Sequence, residues 1–509
     1  MLDILLEGLK IVFTPSTFMF LFGGTVIGVI FGAMPGVSAS MAVALALPFS
    51  YAMSPVVAIA FLTSVYCASI TGGGITAILF KIPGTPSSAP TTFDGYPMAQ
   101  RGEAGKALGY SLVASAVGGL IAAFAMALVS PQLSEVALKF GPGELFAVSF
   151  LGLSVLSALD SDNIVKTLIS GLLGLLLACI GMDPMLGVAR FTWGSTTLLA
   201  GIEMIPIMIG LFAVTEVLKQ TQKPKKIDVE KDSTSGGKDT KTKLPSFVEI
   251  WKTKWVMLRS SVLGTIVGIL PGAGATIASF LSYAIEKKVS KHPEKLGTGI
   301  PDGIVASEAA NNAATGGAMV PLLSLGIPGG NAAAIMMSAL IIQGVRIGPM
   351  LIQSQPQYLS SVFGSMIVTN IVMVLVSIVI ARVFAQILSV PYSILGPVIV
   401  MLAMIGAYAT NNNTGDVVLM VGAGIIGYAF VKLGFNSAAL VLGLVLGQMC
   451  ESNFRRAYTI NNGSIMAMFN SPITTVLVAV CVIMLVYPVV KPLIPQRKKA
   501  TAEAGDETK

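Results

Sequence analysis

The run Glu308-Ala-Ala-Asn311-Asn312-Ala-Ala-Thr315-Gly316-Gly317, followed by Leu325-Gly326-Ile327-Pro328-Gly329-Gly330-Asn331, decides how the rest of the chain is read. Positions 308, 311, 312 and 315 follow the i, i+3, i+4, i+7 spacing of one helix face, so a carboxylate, two carboxamides and a hydroxyl share a stripe. Glycines and a proline then interrupt the helix and release backbone N–H and C=O groups to a ligand. A polar stripe of this kind inside an apolar chain predicts half of a transport site within a membrane.

The surroundings are apolar. Of 509 residues, 54% are hydrophobic and 11% charged, with a mean hydropathy of +0.81. Soluble domains carry about 25% charged residues, and apolar runs at this density are membrane spans. The fold class expected is therefore an all-α polytopic membrane protein lying in the lipid bilayer. The net charge is +7, but 11 of the 32 Lys and Arg fall between Lys219 and Arg259, and five more from Lys491 onward. That is the pattern of cytoplasmic loops, and no nucleic-acid partner is implied.

Cys67, Cys179, Cys450 and Cys481 lie in apolar segments without C-x-x-C spacing, and the single histidine, His292, lies in a lysine-rich loop. Neither a disulfide framework nor a zinc site follows. With no G-x-S-x-G, H-E-x-x-H or Walker A motif the chain is not read as an enzyme, and no cofactor is expected beyond a coupling ion. Met1 to Lys10 mixes both charge signs and reads as a retained interfacial helix.

Apolar segments divide the chain into an N-terminal transmembrane unit (1–218), a basic cytoplasmic linker (219–256), a C-terminal unit (257–450), a final helix region (451–490) and a cytoplasmic tail (491–509). The two units resemble each other. Gly28-x-x-x-Gly32-x-x-Pro35-Gly36-Val-Ser38 matches Gly264-x-x-x-Gly268-x-x-Pro271-Gly272-Ala-Gly274 at an offset of 236; Thr71-Gly72-Gly73 matches Thr315-Gly316-Gly317 at 244, and Ile82-Pro83-Gly84 matches Ile327-Pro328-Gly329 at 245. Offsets that only grow are the mark of duplication with small insertions. Loop charge alternates in antiphase: Lys287, Lys288, Lys291 and Lys295 follow the first hairpin of the second unit, whereas Lys81, Arg101 and Lys106 follow the next segment of the first. Two inverted repeats with Pro-Gly hairpins, plus one extra C-terminal helix, are therefore expected, with linker and C-terminus cytoplasmic.

The broken segments supply the candidate substrate site: Pro35, Gly36, Ser38, Ser40, Thr71, Gly72, Gly73, Pro83, Gly84, Thr85 and Ser87 in the first unit, and Pro271, Gly272, Gly274, Thr276, Thr315, Gly316, Gly317, Pro328, Gly329, Gly330 and Asn331 in the second. Hydroxyls, helix N-termini and the absence of acidic residues from 83 to 92 suit an anion. The alternative for each is packing or a plain turn. Glu308, Asn311, Asn312 and Thr315 are candidate ligands for a coupling ion, either Na+ through neutral oxygens or H+ on Glu308, the alternative being a hydrogen-bonded residue near a loop. Aligned by letter, Glu308, Asn311 and Asn312 fall opposite Ser64, Cys67 and Ala68, so this face is special to the second unit. Asp183, Asn436 and the Asn411 to Asp416 run read as caps and turns. Arg190, Arg455 and Arg456 read as interfacial anchors at least as readily as anion sites.

Gly32-Ala-Met-Pro-Gly-Val-Ser38, Ile82-Pro-Gly-Thr-Pro-Ser87, Asp94-Gly-Tyr-Pro-Met98 with Arg101-Gly-Glu-Ala-Gly105, Pro271-Gly-Ala-Gly274, Glu308-Ala-Ala-Asn-Asn-Ala313 and Leu325-Gly-Ile-Pro-Gly329 together resemble the large membrane subunit, TctA, of tripartite tricarboxylate transporters. The resemblance runs through nearly the whole chain. It implies a secondary-active permease of the bacterial inner membrane. Its partners would be a small membrane subunit of about four helices and a periplasmic solute-binding protein that delivers organic carboxylates such as citrate, with symport driven by an ion gradient. A non-transporting scaffold or receptor subunit and an uncoupled carboxylate channel are the rival readings.

Overall fold

The computed structural model describes residues 2–34, 37–154, 163–183, 185–222, 244–270, 274–387, 392–469 and 471–490. The Pro-Gly tips at Pro35-Gly36 and Pro271-Gly272, most of the linker and the C-terminal tail lie outside them. The first unit contains α1 (Leu2–Val12), α2 (Pro15–Ala33), α3 (Ala39–Ser50), α4 (Pro55–Phe80), α5 (Thr91–Met98), α6 (Ala104–Ala137), α7 (Pro142–Ser154), α8 (Ile164–Ala178) and α9 (Met204–Gln222). The second contains α10 (Phe247–Lys252), α11 (Lys254–Ile269), α12 (Gly274–Val289), α13 (Pro301–Leu325), α14 (Asn331–Ile342), α15 (Pro356–Ile387), α16 (Tyr392–Asn411), α17 (Thr414–Leu433), α18 (Ser437–Ile460) and α19 (Pro472–Val490). Among the described residues six helices are long and apolar enough to cross a membrane: α2, α4, a continuous stretch Thr91–Ala137, α9, the Pro356–Ala381 part of α15, and α17. The chain is an all-α polytopic membrane protein.

Proline marks many helix starts, as at Pro15, Pro55 and Pro301, where the missing N–H has no intrahelical partner to lose. The helices α8, α17 and α19 expose apolar side chains such as Leu172, Ile425 and Ile483, a surface suited to lipid. By contrast α13 is enclosed from Gly303 to Ser324. It runs unbroken through Gly316-Gly317 and ends only at Gly326, so the interruption expected at the glycine pair falls nine residues later than that pair's end. Glycine at these positions serves close approach instead: a side chain on Gly317 would strike the Thr265 carbonyl of α11.

The same contacts recur in the two units. A Cβ on Gly32 would collide with the Ser69 carbonyl of α4, and one on Gly268 would stand 2.5 Å from the Ala314 carbonyl of α13. Gly84 lies on Gly32 and Gly73, and Gly329 lies on Gly268 and Ala318. The helices α4 and α13 end in left-handed residues, Lys81 (φ 56°) and Gly326 (φ 75°). The Ile82 N–H then bonds the Thr76 carbonyl at 3.3 Å, as Ile327 bonds Pro321 at 3.2 Å. Every α4–α13 equivalence here is separated by 245 residues. The Thr71–Thr315 pairing read from the letters is therefore one residue out: Gly72, packed on Val29, corresponds to Gly317, packed on Thr265. Space pairs Glu308, Asn311 and Asn312 with Thr63, Tyr66 and Cys67, and the carboxylate and carboxamides remain peculiar to the second unit.

Contacts between units fix the relative direction of these helices. The segment after α4 reaches the loop before α13: Asp94 Oδ1 accepts the N–H groups of Gly297, Gly299 and Ile300 at 2.9, 2.8 and 3.0 Å, and Arg101 donates to the Thr298 and Gly299 carbonyls. Lys106 pairs with Glu249 at 2.9 Å at the same end. At the other end Gln343, after α14, donates to the Ser50 carbonyl at 2.9 Å. The helices α4 and α13 therefore run antiparallel. The N-terminal helix α1 is not merely interfacial: Gly8 packs directly on the Ser360 carbonyl of α15.

Candidate functional site

Three consecutive glycines of α4 face three different neighbours. Gly72 admits the backbone of α2; Gly73 admits the hydroxyls of Thr85 and Ser88; Gly74 admits the Glu308 carboxylate and Ser111. The segment from Gly84 to Ser88 is pinned by a hydrogen bond from the Gly84 N–H to the Gly73 carbonyl at 3.2 Å. Its buried hydroxyls form a cluster, with Thr85 Oγ1 at 3.1 Å from Ser87 Oγ and 3.0 Å from Ser88 Oγ. Each unit's broken segment also touches the other unit: the turn at Pro86–Ser88 packs on α12, and α14 packs on α3.

Beside the first of these segments lies a cavity of about 350 Å³, within the ~300–1,000 Å³ typical of small-molecule sites. Ser38, Met41, Pro83, Gly84 and Pro86 form one wall, and Leu211, Phe212, Thr215, Glu216 and Lys219 of α9 form the other, with Val431 and Ser437. Ser38 is the N-cap of α3, accepting the Met41 N–H at 3.2 Å, which leaves its O–H free to donate. Ser437 Oγ is buried without a partner. Lys219 bonds Glu216 at 3.2 Å and stays half-exposed.

Of the sequence candidates, Ser38, Pro83 and Gly84 line this cavity; Thr85 and Ser87, bonded to each other, are chain neighbours of its lining residues Gly84 and Pro86 but do not line it themselves. Ser40 is buried within α3. The second-unit group, Gly274, Thr276, Pro328, Gly329, Gly330 and Asn331, forms no part of its lining. There a Cβ on Gly330 would lie 3.7 Å from Gly274, so these two do converge. Gly316 packs on Ala122 of α6. Pro35, Gly36, Pro271 and Gly272 lie outside the described residues.

The α13 stripe forms a second centre. Glu308 is fully buried; its Oε1 accepts Thr91 Oγ1 at 2.6 Å and its Oε2 accepts Ser115 Oγ at 3.1 Å. None of the ion pairs among the described residues includes it. Burying an ionised carboxylate costs several kcal/mol after relaxation, more than two hydrogen bonds of about 1.5–3 kcal/mol each comfortably offset, so the site calls for a neutralising cation or proton. Asn312 bridges units instead: Thr71 donates to its Oδ1 at 2.7 Å while its amide donates to the Glu308 carbonyl at 3.2 Å. Thr315 bonds back to the Asn312 carbonyl at 2.6 Å. Asn311 is buried with both carboxamide atoms unpartnered.

Sequence reasoning missed Ser111 and Ser115, which lie some 200 positions from Glu308 and look like ordinary small residues of an apolar helix, and it read Thr91 as part of a Pro-rich connecting loop. The one available signal was the small-polar spacing of Ser111 and Ser115 at i, i+4. Asp94 was noted only within a motif, yet its buried carboxylate also accepts the Tyr283 hydroxyl at 2.8 Å. Asp183 was expected to cap its helix, but α8 ends at Ala178 with Cys179 as its cap; the carboxylate instead accepts the Met185 and Leu186 N–H groups at 2.8 and 3.2 Å in a turn closed by the short strands β1 (Gly181–Met182) and β2 (Ala189–Arg190). Arg455 bonds it at 2.7 Å and holds its carboxyl down at about 2. Arg190 grips Glu451 through both nitrogens, at 2.5 and 3.2 Å. These arginines are thus committed to carboxylates.

The fold and these two centres define a polytopic helical membrane protein with a polar, interrupted interior. The chain belongs to the tripartite tricarboxylate transporter TctA family, whose model matches residues 18–442. It is therefore a component of a tripartite tricarboxylate transport system, and its family points to a transporter rather than an enzyme. It is similar to an Agrobacterium vitis protein described as "Uncharacterized 52.8 kDa protein in TAR-I ttuC' 3'region", 37% identical over 487 residues that cover 95% of this chain and 96% of that one. A second A. vitis protein, "Uncharacterized protein in TAR-II ttuC' 3'region", is 38% identical over 231 residues, 45% of this chain and 96% of that protein. No solved structure matches.

Proposed function

We propose that the chain is the permease subunit of a binding-protein-dependent secondary transporter that imports an organic di- or tricarboxylate across the bacterial inner membrane, coupled to Na+ or H+. The observation that carries this reading is the cavity between the interrupted segments and Lys219. It offers a helix N-terminus and free hydroxyls to an anion, with the Lys219 ammonium shared between the cavity and Glu216. Glu216 is its one acidic neighbour and is already paired with Lys219.

The coupling ion acts at Glu308 and Asn311 of the α13 stripe, with Asn312 and Thr315 holding that stripe in place, and the adjacent Gly73 and Gly74 join it to the substrate segment. The two units are read as oppositely oriented copies, supported by glycine contacts that recur at constant offset and by the antiparallel α4 and α13. The basic charge of the linker and tail supports a cytoplasmic position for both. The partners are the small membrane subunit and the periplasmic binding protein that the family resemblance implies.

Uptake of labelled carboxylates by proteoliposomes holding all three subunits, under imposed Na+ or H+ gradients, tests this directly. Accumulation above the external concentration is expected. Equilibration without accumulation indicates a channel, and no uptake at all indicates a scaffold.

A further inference from the structure

The groups that converge on the Glu308 carboxylate are oxygen donors supplied by both units. A Cβ on Gly74 would stand 2.8 Å from Glu308 Oε1 and 2.9 Å from Ser111 Oγ, so the missing side chain keeps open a cradle that a methyl group would fill. Thr91 and Ser115 hold the two carboxylate oxygens, and Thr91 Oγ1 lies 3.0 Å from Ser307 Oγ. One turn along α13, Asn311 is close enough to interact with the carboxyl, yet neither of its amide atoms reaches hydrogen-bond geometry with any partner.

We infer that this cradle binds one monovalent hard cation, Na+, through the Glu308 carboxylate, Asn311 Oδ1 and Ser111 Oγ, with Thr91 and Ser115 fixing the carboxylate. The inference rests on the ion-coupled reading above and chooses between its two ions. A single positive charge balances the single carboxylate, whereas a divalent ion would leave one charge uncompensated in an enclosed site. Hydroxyl, carboxamide and carboxylate oxygens suit a hard ion; a transition metal wants nitrogen or sulfur, and the described residues contain no cluster of three or more His, Cys, Asp or Glu. A proton needs the carboxylate but not the cradle, which separates the two ions experimentally.

The cation also has a direct route to the substrate wall. The eight residues from Gly84 to Thr91 lay Thr85 and Ser88 on Gly73 at one end and bond Glu308 at the other. A carboxylate drawn toward a cation pulls on Thr91, and through it on the segment that borders the cavity.

The test is thermal unfolding of the purified full chain in detergent, titrated with NaCl, KCl or choline chloride at fixed pH and ionic strength. A saturable rise of the midpoint with Na+ alone is expected. Half-saturation should move up about tenfold or more in Asn311→Ala and in Thr91→Val, as loss of a ligand or of its orienting partner does. Gly74→Ala should lose the response while keeping its melting transition in choline. A wild-type midpoint indifferent to Na+, or a Gly74→Ala response equal to wild type, overturns the inference. Uptake by the reconstituted complex separates the two readings. Proton-driven accumulation without any Na+ effect removes the Na+ site and leaves the transporter; a normal Na+ response without carboxylate uptake does the reverse.

Discussion

After α4, Thr85 and Ser88 press two hydroxyls onto Gly73 and Ser87 bonds Thr85; after α13, the positions at the same 245-residue offset are Gly330, Ala332 and Ala333, which carry no hydroxyl. Conversely, α13 carries Glu308, Asn311 and Asn312 where α4 has Thr63, Tyr66 and Cys67. The backbone contacts match and the side-chain chemistry does not. Contacts such as Gly32 on Ser69 and Gly268 on Ala314 involve only main chain, so they constrain a position to glycine and leave its neighbours free to diverge. One unit can then specialise toward an anion and the other toward a cation.

The matched backbone is where substitution should cost most. Gly32→Leu and Gly268→Leu drive a side chain into a carbonyl that cannot move away, and both should abolish monodisperse protein on size exclusion, a loss above about 4 kcal/mol. With alanine the two should separate: Gly32→Ala is expected to melt lower than Gly268→Ala, because its Cβ meets the opposing carbonyl more closely. Equal effects would mean the two contacts differ less than the geometry indicates.

The divergent chemistry comes next in size. Thr85→Val combined with Ser87→Ala and Ser88→Ala removes every member of the bonded cluster, which is nearly neutral for stability, yet should raise the carboxylate KM about tenfold in reconstituted uptake, the equivalent of roughly 1.4 kcal/mol. Ala332→Ser and Ala333→Ser, which write hydroxyls into the second unit, should leave that KM within about twofold. A large change there would restore a two-fold symmetric substrate site.

The smallest effect belongs to the ties between units away from both centres. Asp183 in the first unit is held at about 2, below the ordinary 3.8, chiefly by its hydrogen bond from Arg455 in the second. A depressed carboxyl stabilises fully above its unfolded value and loses that contribution as pH falls through the folded one. The wild-type melting temperature should therefore drop between about pH 4 and about pH 2, and Asp183→Asn should flatten that limb by a few degrees. Arg455→Met, which releases the carboxyl toward its ordinary value, should flatten it likewise.

Much of this architecture was legible because it is written in glycine and proline. The offset of the Ile-Pro-Gly pairs, the breaks after α4 and α13, and the polar stripe of α13 all follow from residues that have few other uses in apolar helices. The one-residue slip at Thr71 arose because Thr-Gly-Gly occurs in both units, while the steric demand for glycine falls one position later in the second. The ligands of Glu308 were not legible, since serine and threonine in an apolar helix usually bond their own backbone, as Ser261 and Thr265 do here. Nor was the strand pair at Gly181 and Arg190, two residues a side just after α8 ends at Ala178, too short for any alternation of apolar and polar residues to show.

The division of labour between the units is tested most directly by measuring, in proteoliposomes containing the whole transport complex, the KM for carboxylate and the KM for Na+ in Ser38→Ala and in Asn311→Ala. The first should raise only the carboxylate KM and the second only the Na+ KM, each about tenfold. Effects that are exchanged between the two variants, or that fall equally on both constants in each, would contradict separate anion and cation centres.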